Sequence, residues 1–167
     1  MVLLTDDVRL PDPLAAARRL PNGSMVVVRT RADPEPLTRA LLKLRHVTVI
    51  VAGDPLLAVR LGAHGAHLSE ARSHEASRWR ARFPHLLITT ATHSLRALML
   101  SRGDMAFLSP VYPTQSHPGR TALSPVRANM IARQSNRRVI ALGGIDAANV
   151  ARLSGFAGIA AIGALIP

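Results

Sequence analysis

Two loops near the C-terminus hold residue types that handle anions. Leu108 to Gly119, LSPVYPTQSHPG, follows the apolar run Met105-Ala106-Phe107 and carries Ser109, Thr114 and Ser116 with His117 beside them. Gly143-Gly144, in VIALGGI, follows the apolar run Val139 to Leu142. Hydroxyl groups donate to phosphate oxygens, and glycine lets backbone N–H groups approach a ligand closely. A third glycine, Gly163, stands beside Ala164 after the last apolar run. Tight turns alone would also use such glycines. Loops of this kind in succession predict a site for a small phosphorylated ligand.

Those loops need a frame, and the chain supplies a regular one. Short β-branched runs at Val2–Leu4, Met25–Val28, Val47–Val51, Ala66–Leu68, Leu86–Thr90, Met105–Leu108, Val139–Leu142 and Ile159–Ile162 read as strands. Between them, helical patterns run over Leu14–Leu20, Leu37–Leu44, Pro55–Leu61, His74–Phe83, Leu95–Leu100, Ser124–Gln134 and Ala147–Leu153. Asp54-Pro55 and Ser124-Pro125 place a cap before a first-turn proline, and Ser94 and Asp146 are further caps. Strands alternating with helices predict a parallel sheet, and eight of them predict a closed (β/α)8 barrel of the α/β class. The chain is short for that fold and stops soon after the eighth strand, so the last helix is expected to be missing or reduced. In such a barrel ligands lie at the C-terminal ends of the strands, with phosphate near the loops after strands seven and eight. Gly143-Gly144 and Gly163-Ala164 occupy those loops.

Composition narrows the function classes. A chain of 167 residues, 48% apolar, is expected to form a single globular domain over 1–167. Aromatic residues are only 3%, so the core must be aliphatic. The absence of cysteine excludes disulfides, thiolate metal sites and a cysteine nucleophile. The acidic pair in MVLLTDDVRL comes too early for a secretory leader. No apolar run approaches the roughly 18 residues of a membrane span. A cytoplasmic protein is therefore expected. The net charge of +11 comes from scattered arginines, without the clustered footprint of a nucleic-acid-binding surface.

Taken in order, LLTDD (3–7), VVVRTR (26–31), AGDP (52–55), LGAHGAHLSE (61–70), TATHS (90–94), GDMAFLSPVYPTQSHPG (103–119), IALGGI (140–145) and GIAAIGALI (158–166) resemble thiamine phosphate synthase and its relative, the thiazole tautomerase. The resemblance implies a (β/α)8 barrel. It also implies a transferase that joins hydroxymethylpyrimidine diphosphate to thiazole phosphate, releasing pyrophosphate with the help of Mg2+.

The resemblance assigns roles residue by residue. Arg29 matches the arginine of the family's diphosphate-binding QLREK strand end, Arg31 stands at its lysine, and Val27 replaces its glutamine. Asp54 matches one metal-binding aspartate, with Gly53 in place of the neighbouring asparagine and Arg72 in place of the second aspartate. Glu70 is a weak substitute ligand. His67 and His93 fall in the motifs after strands four and five, where Ala91 replaces a serine and Thr92 keeps a hydroxyl. Thr114 matches a threonine of the family's GPIFPTxTKPG loop, Ser116 replaces its second threonine, and His117 replaces the lysine that would neutralise leaving pyrophosphate. Gly143 and Gly144 match the thiazole-phosphate glycines, and Gly163 and Ala164 close that site. The thiazole-phosphate half is largely kept and the pyrimidine and metal half eroded. Three functions are thereby implied: the transferase, with His117 and Arg31 as catalytic residues; a metal-independent tautomerase; or a non-catalytic thiazole phosphate- or thiamine phosphate-binding protein. The expected partners are small phosphorylated thiazole and pyrimidine diphosphate substrates.

Overall fold

Alternation of side chains along each strand decides which residues fill the barrel and which meet the helices. The structure, a computed structural model, describes residues 1–114 and 121–162. Eight strands, β1 (Val2–Leu4), β2 (Ser24–Val28), β3 (Val47–Ala52), β4 (Gly65–Leu68), β5 (Leu87–Thr92), β6 (Met105–Leu108), β7 (Arg138–Leu142) and β8 (Gly158–Ala161), pair in parallel and in chain order. β8 pairs back onto β1, with Val2 opposite Ala160, so the barrel is closed as expected.

One set of alternate residues, Val2, Leu4, Met25, Val27, Ile50, Phe107 and Ile140, packs together inside the barrel. The other set, including Leu3, Val26, Val49, Ala66, Ile88, Ala106 and Val139, faces the helices. Phe107 is the bulkiest fully buried side chain. Gly65 on β4 has no room for a side chain, because a Cβ there would meet the Leu87 carbonyl and the Ile50 side chain.

Among the described residues six helices return the chain between strands: α1 (Pro13–Arg18), α2 (Glu35–Leu42), α3 (Pro55–Leu61), α4 (Ala76–Arg82), α5 (Leu95–Leu100) and α6 (Pro125–Arg133). Caps set four starts. Asp12, Asp54, Ser94 and Ser124 accept the N–H groups of Ala15, Leu56, Ala97 and Arg127. Before α4, residues 70–75 form a 3-10 turn, which displaces the expected helix start at His74.

The helix expected at Ala147–Leu153 is a correction: only a 3-10 turn, Val150–Arg152, forms there. Asp146 Oδ1 accepts the N–H groups of Ala148 and Asn149, while Asn149 Nδ2 donates to the Gly144 carbonyl. Short polar side chains here compete with a helical ladder. The segment after β8 lies outside the described residues, and so does the expectation of a missing last helix.

Candidate active site

The C-terminal strand ends form one mouth, and its first wall is built by charge pairing between neighbouring loops. After β1, Thr5 Oγ1 accepts the Arg29 N–H and donates to the Arg29 carbonyl, both at 2.8 Å. Asp6 Oδ2 accepts from Arg9 Nη2 at 2.6 Å and from Arg29 Nη2 at 2.8 Å. The Arg9 bond is the main reason the Asp6 carboxyl lies well below the usual carboxylate range. Arg29 is thus held by backbone and side chain together. Arg31 is exposed and lines neither mouth cavity. Its N–H donates to Asp7 Oδ2 at 2.8 Å, the first cause of a lowered Asp7 pKa.

A cavity of about 370 Å3 opens at this mouth, with Arg29, His67, Ser69, Arg72, His93 and Ser109 supplying its polar lining. A narrower cleft adjoins it, where Arg29 and Ser109 meet Thr114 and Gly143. The two share Leu4, Arg29, Ser109 and Leu142, so they form one continuous site.

The histidines on the β4–β5 side differ. The His67 ring packs on Phe107 with centroids 4.8 Å apart, and its Nδ1 lies 2.9 Å from Thr89 Oγ1. Burial, with a smaller contribution from Arg29's charge, pushes its pKa down to about 4. His67 is therefore neutral at neutral pH. His93 Nδ1 lies 2.8 Å from the Ser109 carbonyl and 3.2 Å from Ser109 Oγ. A carbonyl only accepts, so Nδ1 carries the proton and the neutral ring keeps its lone pair on Nε2. Glu70 Oε2 accepts the His93 backbone N–H at 2.6 Å, which ties the β4 loop to the β5 loop. Glu70 is thus an anchor for His93. Thr92 is a correction to the expected ligand contact. It is fully buried, and its hydroxyl donates to the Phe107 carbonyl at 3.1 Å. Its side chain falls on the helix-facing side of β5.

Arg72 reaches across from the 3-10 turn after β4. Its Nε and Nη2 donate to Glu75 Oε1 and Oε2 at 2.7 and 2.8 Å, and its Nη1 donates to the Gly53 carbonyl. Trp79 Nε1 also donates to Glu75, at 3.0 Å. The Arg72 bond, more than the Trp79 bond, draws the Glu75 pKa down to about 2. Asp54 Oδ1 is engaged as the cap of α3, 2.9 Å from the Leu56 N–H. Mg2+ takes hard oxygen ligands, commonly carboxylates. Here the cavity wall beside Gly53 carries a guanidinium, and no described cluster of three or more His, Asp or Glu residues could hold a metal. The donor set around Asp54 does not fit Mg2+.

The glycine pair serves packing first. Gly143 (φ +99°) and Gly144 (φ +63°) adopt backbone that side chains disfavour. A Cβ on Gly143 would lie 2.9 Å from Pro110 Cα, and one on Gly144 would meet the Pro113 carbonyl and Tyr112 Cβ. The Gly143 carbonyl accepts from Tyr112 N–H at 3.0 Å, and the Gly144 carbonyl from Asn149 Nδ2 at 2.9 Å. The β6 loop is thereby pressed onto the β7 loop. Gly143 also lines the cleft and Gly144 does not.

Of the expected site residues, the structure brings together Arg29, Thr114 and Gly143, with Arg72 on the far wall. Arg31, Thr92, Gly144 and Asp54 do not line it. Ser116, His117, Gly163 and Ala164 lie outside the described residues. Asp6, Glu75 and Ser69 are supports or lining that the sequence reading did not place, and Glu70, expected as a weak substitute ligand, accepts the His93 N–H. A signal for one was present: the Asp6-Asp7 pair follows β1, and the Arg29 and Arg31 pair follows its neighbour β2.

The class defined so far is a (β/α)8 barrel whose strand-end mouth carries arginines, histidines and hydroxyls. Comparison with known proteins then narrows it. The family described as thiamine monophosphate synthase matches residues 25–165, and the chain belongs to that family. A thiamine-phosphate synthase of Lysinibacillus sphaericus is 30% identical over 129 residues, 72% of this chain. The aligned region spans 59% of that relative's length. Among solved structures, the thiamine phosphate pyrophosphorylase from Pyrococcus furiosus is 19% identical with a TM-score of 0.75, covering 96% of this chain and 84% of its own. The N-(5'-phosphoribosyl)anthranilate isomerase from Pyrococcus furiosus is 14% identical with a TM-score of 0.68, covering 98% and 88%. These structural likenesses establish the fold. No described helix is long and apolar enough to cross a membrane.

Proposed function

We propose that the barrel mouth binds a phosphorylated thiazole beside a pyrimidine diphosphate and joins them in thiamine biosynthesis, with pyrophosphate leaving. Family membership supports the reaction class. The observation that carries it is the continuity of the two mouth cavities. Thr114 and Gly143 line the narrow cleft, Arg72 and His93 line the wider cavity, and Arg29 and Ser109 stand between. Polar groups able to meet two anionic substrates thus stand side by side, as a condensation requires. Arg29 pairs with phosphate oxygens, and the glycine turn offers its backbone to the thiazole phosphate. His117, by its match to the family's lysine, is assigned to the leaving pyrophosphate as a pH-dependent substitute.

The test supplies hydroxymethylpyrimidine diphosphate and thiazole phosphate together, with and without Mg2+, and follows thiamine phosphate and pyrophosphate. Stoichiometric release of both products supports the transferase. Substrate binding with no product supports the binding-protein reading and overturns the transferase. A second reading, the metal-independent tautomerase, is favoured by one observation. The Ser109 carbonyl holds His93 with a basic Nε2, as a proton-transfer residue needs. Conversion of a thiazole tautomer in EDTA, lost in His93→Gln, would support it.

A further inference from the structure

We infer that Arg72 is a built-in cation of the mouth, so that a phosphate or diphosphate group is held between Arg29 and Arg72 without a divalent metal ion. The inference needs only the anion-binding part of the proposed function, whichever reaction follows. It starts from the wider cavity's lining. Among the described residues that lining has two arginines, two histidines and two serines, and no carboxylate. A cavity so lined presents no carboxylate to a free Mg2+ and offers N–H and O–H donors to an anion.

Arg72 is also preorganised. Three of its five N–H groups are engaged, two by the Glu75 carboxylate and one by the Gly53 carbonyl. One N–H on each terminal nitrogen is left to donate to a ligand. Both oxygens of Glu75 grip the guanidinium, and Glu75 stays ionised down to about pH 2, so the grip persists over any working pH. The Gly53 carbonyl, at the end of β3, sets how far the head group leans into the mouth. The Arg29 guanidinium donates through Nη2 to Asp6 Oδ2, and Thr5 Oγ1 fixes the Arg29 backbone. Each arginine has its carboxylate partner behind it, and neither carboxylate lines the cavity. His67 is neutral at neutral pH and adds hydrogen bonding but no charge. Ser69 and Ser109 supply hydroxyl donors on the wall. Two forked cations with hydroxyls nearby match the oxygens of a diphosphate better than a single point charge does.

The experiment is calorimetry of the whole chain with inorganic pyrophosphate and inorganic phosphate, in EDTA and in excess Mg2+. Saturable binding of pyrophosphate is expected in EDTA. Arg72→Gln should weaken it about tenfold or more, since it removes charge-assisted bonds. Binding seen only with Mg2+, no binding of either anion, or an unchanged Kd in a folded Arg72→Gln protein would each overturn the inference. If that variant does not fold, the wild type still decides. Pyrophosphate in EDTA must shift the Arg72 guanidinium resonances in a nitrogen-15 spectrum, and unmoved resonances at saturation overturn the inference. Pyrophosphate binding in EDTA without product in the two-substrate assay would uphold it and overturn the transferase. Product formed only with Mg2+, without binding in EDTA, would do the reverse.

Discussion

The ring of His67 ties the pH dependence of folding to the architecture of the mouth. β4 points Gly65 and His67 into the barrel, and the ring lies against Phe107 with centroids 4.8 Å apart. Burial first, then the charge of Arg29, lowers its pKa from 6.5 to about 4. In the unfolded chain the ring titrates near its ordinary value. Between the two values the unfolded state takes up a proton that the native state refuses. The stabilisation is therefore complete above about pH 6.5 and is lost as the pH falls towards 4. Comparing proton uptake of the two states, the loss from about pH 7.5 to pH 5 is about 2 kcal/mol, out of about 3 kcal/mol in all. The perturbation is His67→Gln, and the assay is urea unfolding at both pH values for wild type and variant. Wild type should lose about 2 kcal/mol more than the variant on acidification, the other histidines cancelling in the comparison. A proton-carbon NMR titration of the ring should give a midpoint near 4, which Arg29→Gln raises. Equal pH slopes in the two proteins, or a ring that titrates near 6.5, would refute the reasoning.

Gly144→Ala should cost about 1–3 kcal/mol, because it adds a clash with the Pro113 carbonyl to a left-handed backbone. Gly23→Ala, also left-handed but with open space around it, should cost only about 1 kcal/mol, and thermal melts of the pair separate clash from backbone strain. Phe107→Ala should destabilise by about 3–5 kcal/mol in urea unfolding, since the largest fully buried side chain of the barrel interior is removed. Asp54→Ala should cost about 1 kcal/mol through loss of the α3 cap. Added Mg2+ should move the melting temperatures of Asp54→Ala and wild type equally, and a shift confined to wild type would restore Asp54 as a metal ligand.

Local chemistry was enough to read the frame. Each of the eight strands is a short apolar run rich in Val, Ile, Leu and Ala, and each structural boundary falls within two residues of the expected one. Asp54, Ser94 and Ser124 cap the helices they were expected to cap, because a cap is a contact between residues two or three positions apart. At Ala147–Leu153 a turn replaces the helix, where Asn149 Nδ2 bonds the Gly144 carbonyl nearby and the Tyr112 hydroxyl, distant in sequence, donates to the Asn149 carbonyl at 2.9 Å. The site divides along the same line. Gly143 was singled out by its residue type at a strand end, and Arg29 by its match to the family's strand-end motif; both line the mouth. Tertiary structure alone decided that Thr92 turns away to the Phe107 carbonyl and that Glu75 holds Arg72 against Gly53, while Asp6 facing Arg29 follows from the pairing of β1 with β2. Those outcomes depend on which loops the closed barrel sets side by side and on which face of a strand each side chain leaves. A one-residue change of register reverses that face, and hydrogen bonds between strands distant in sequence set the register.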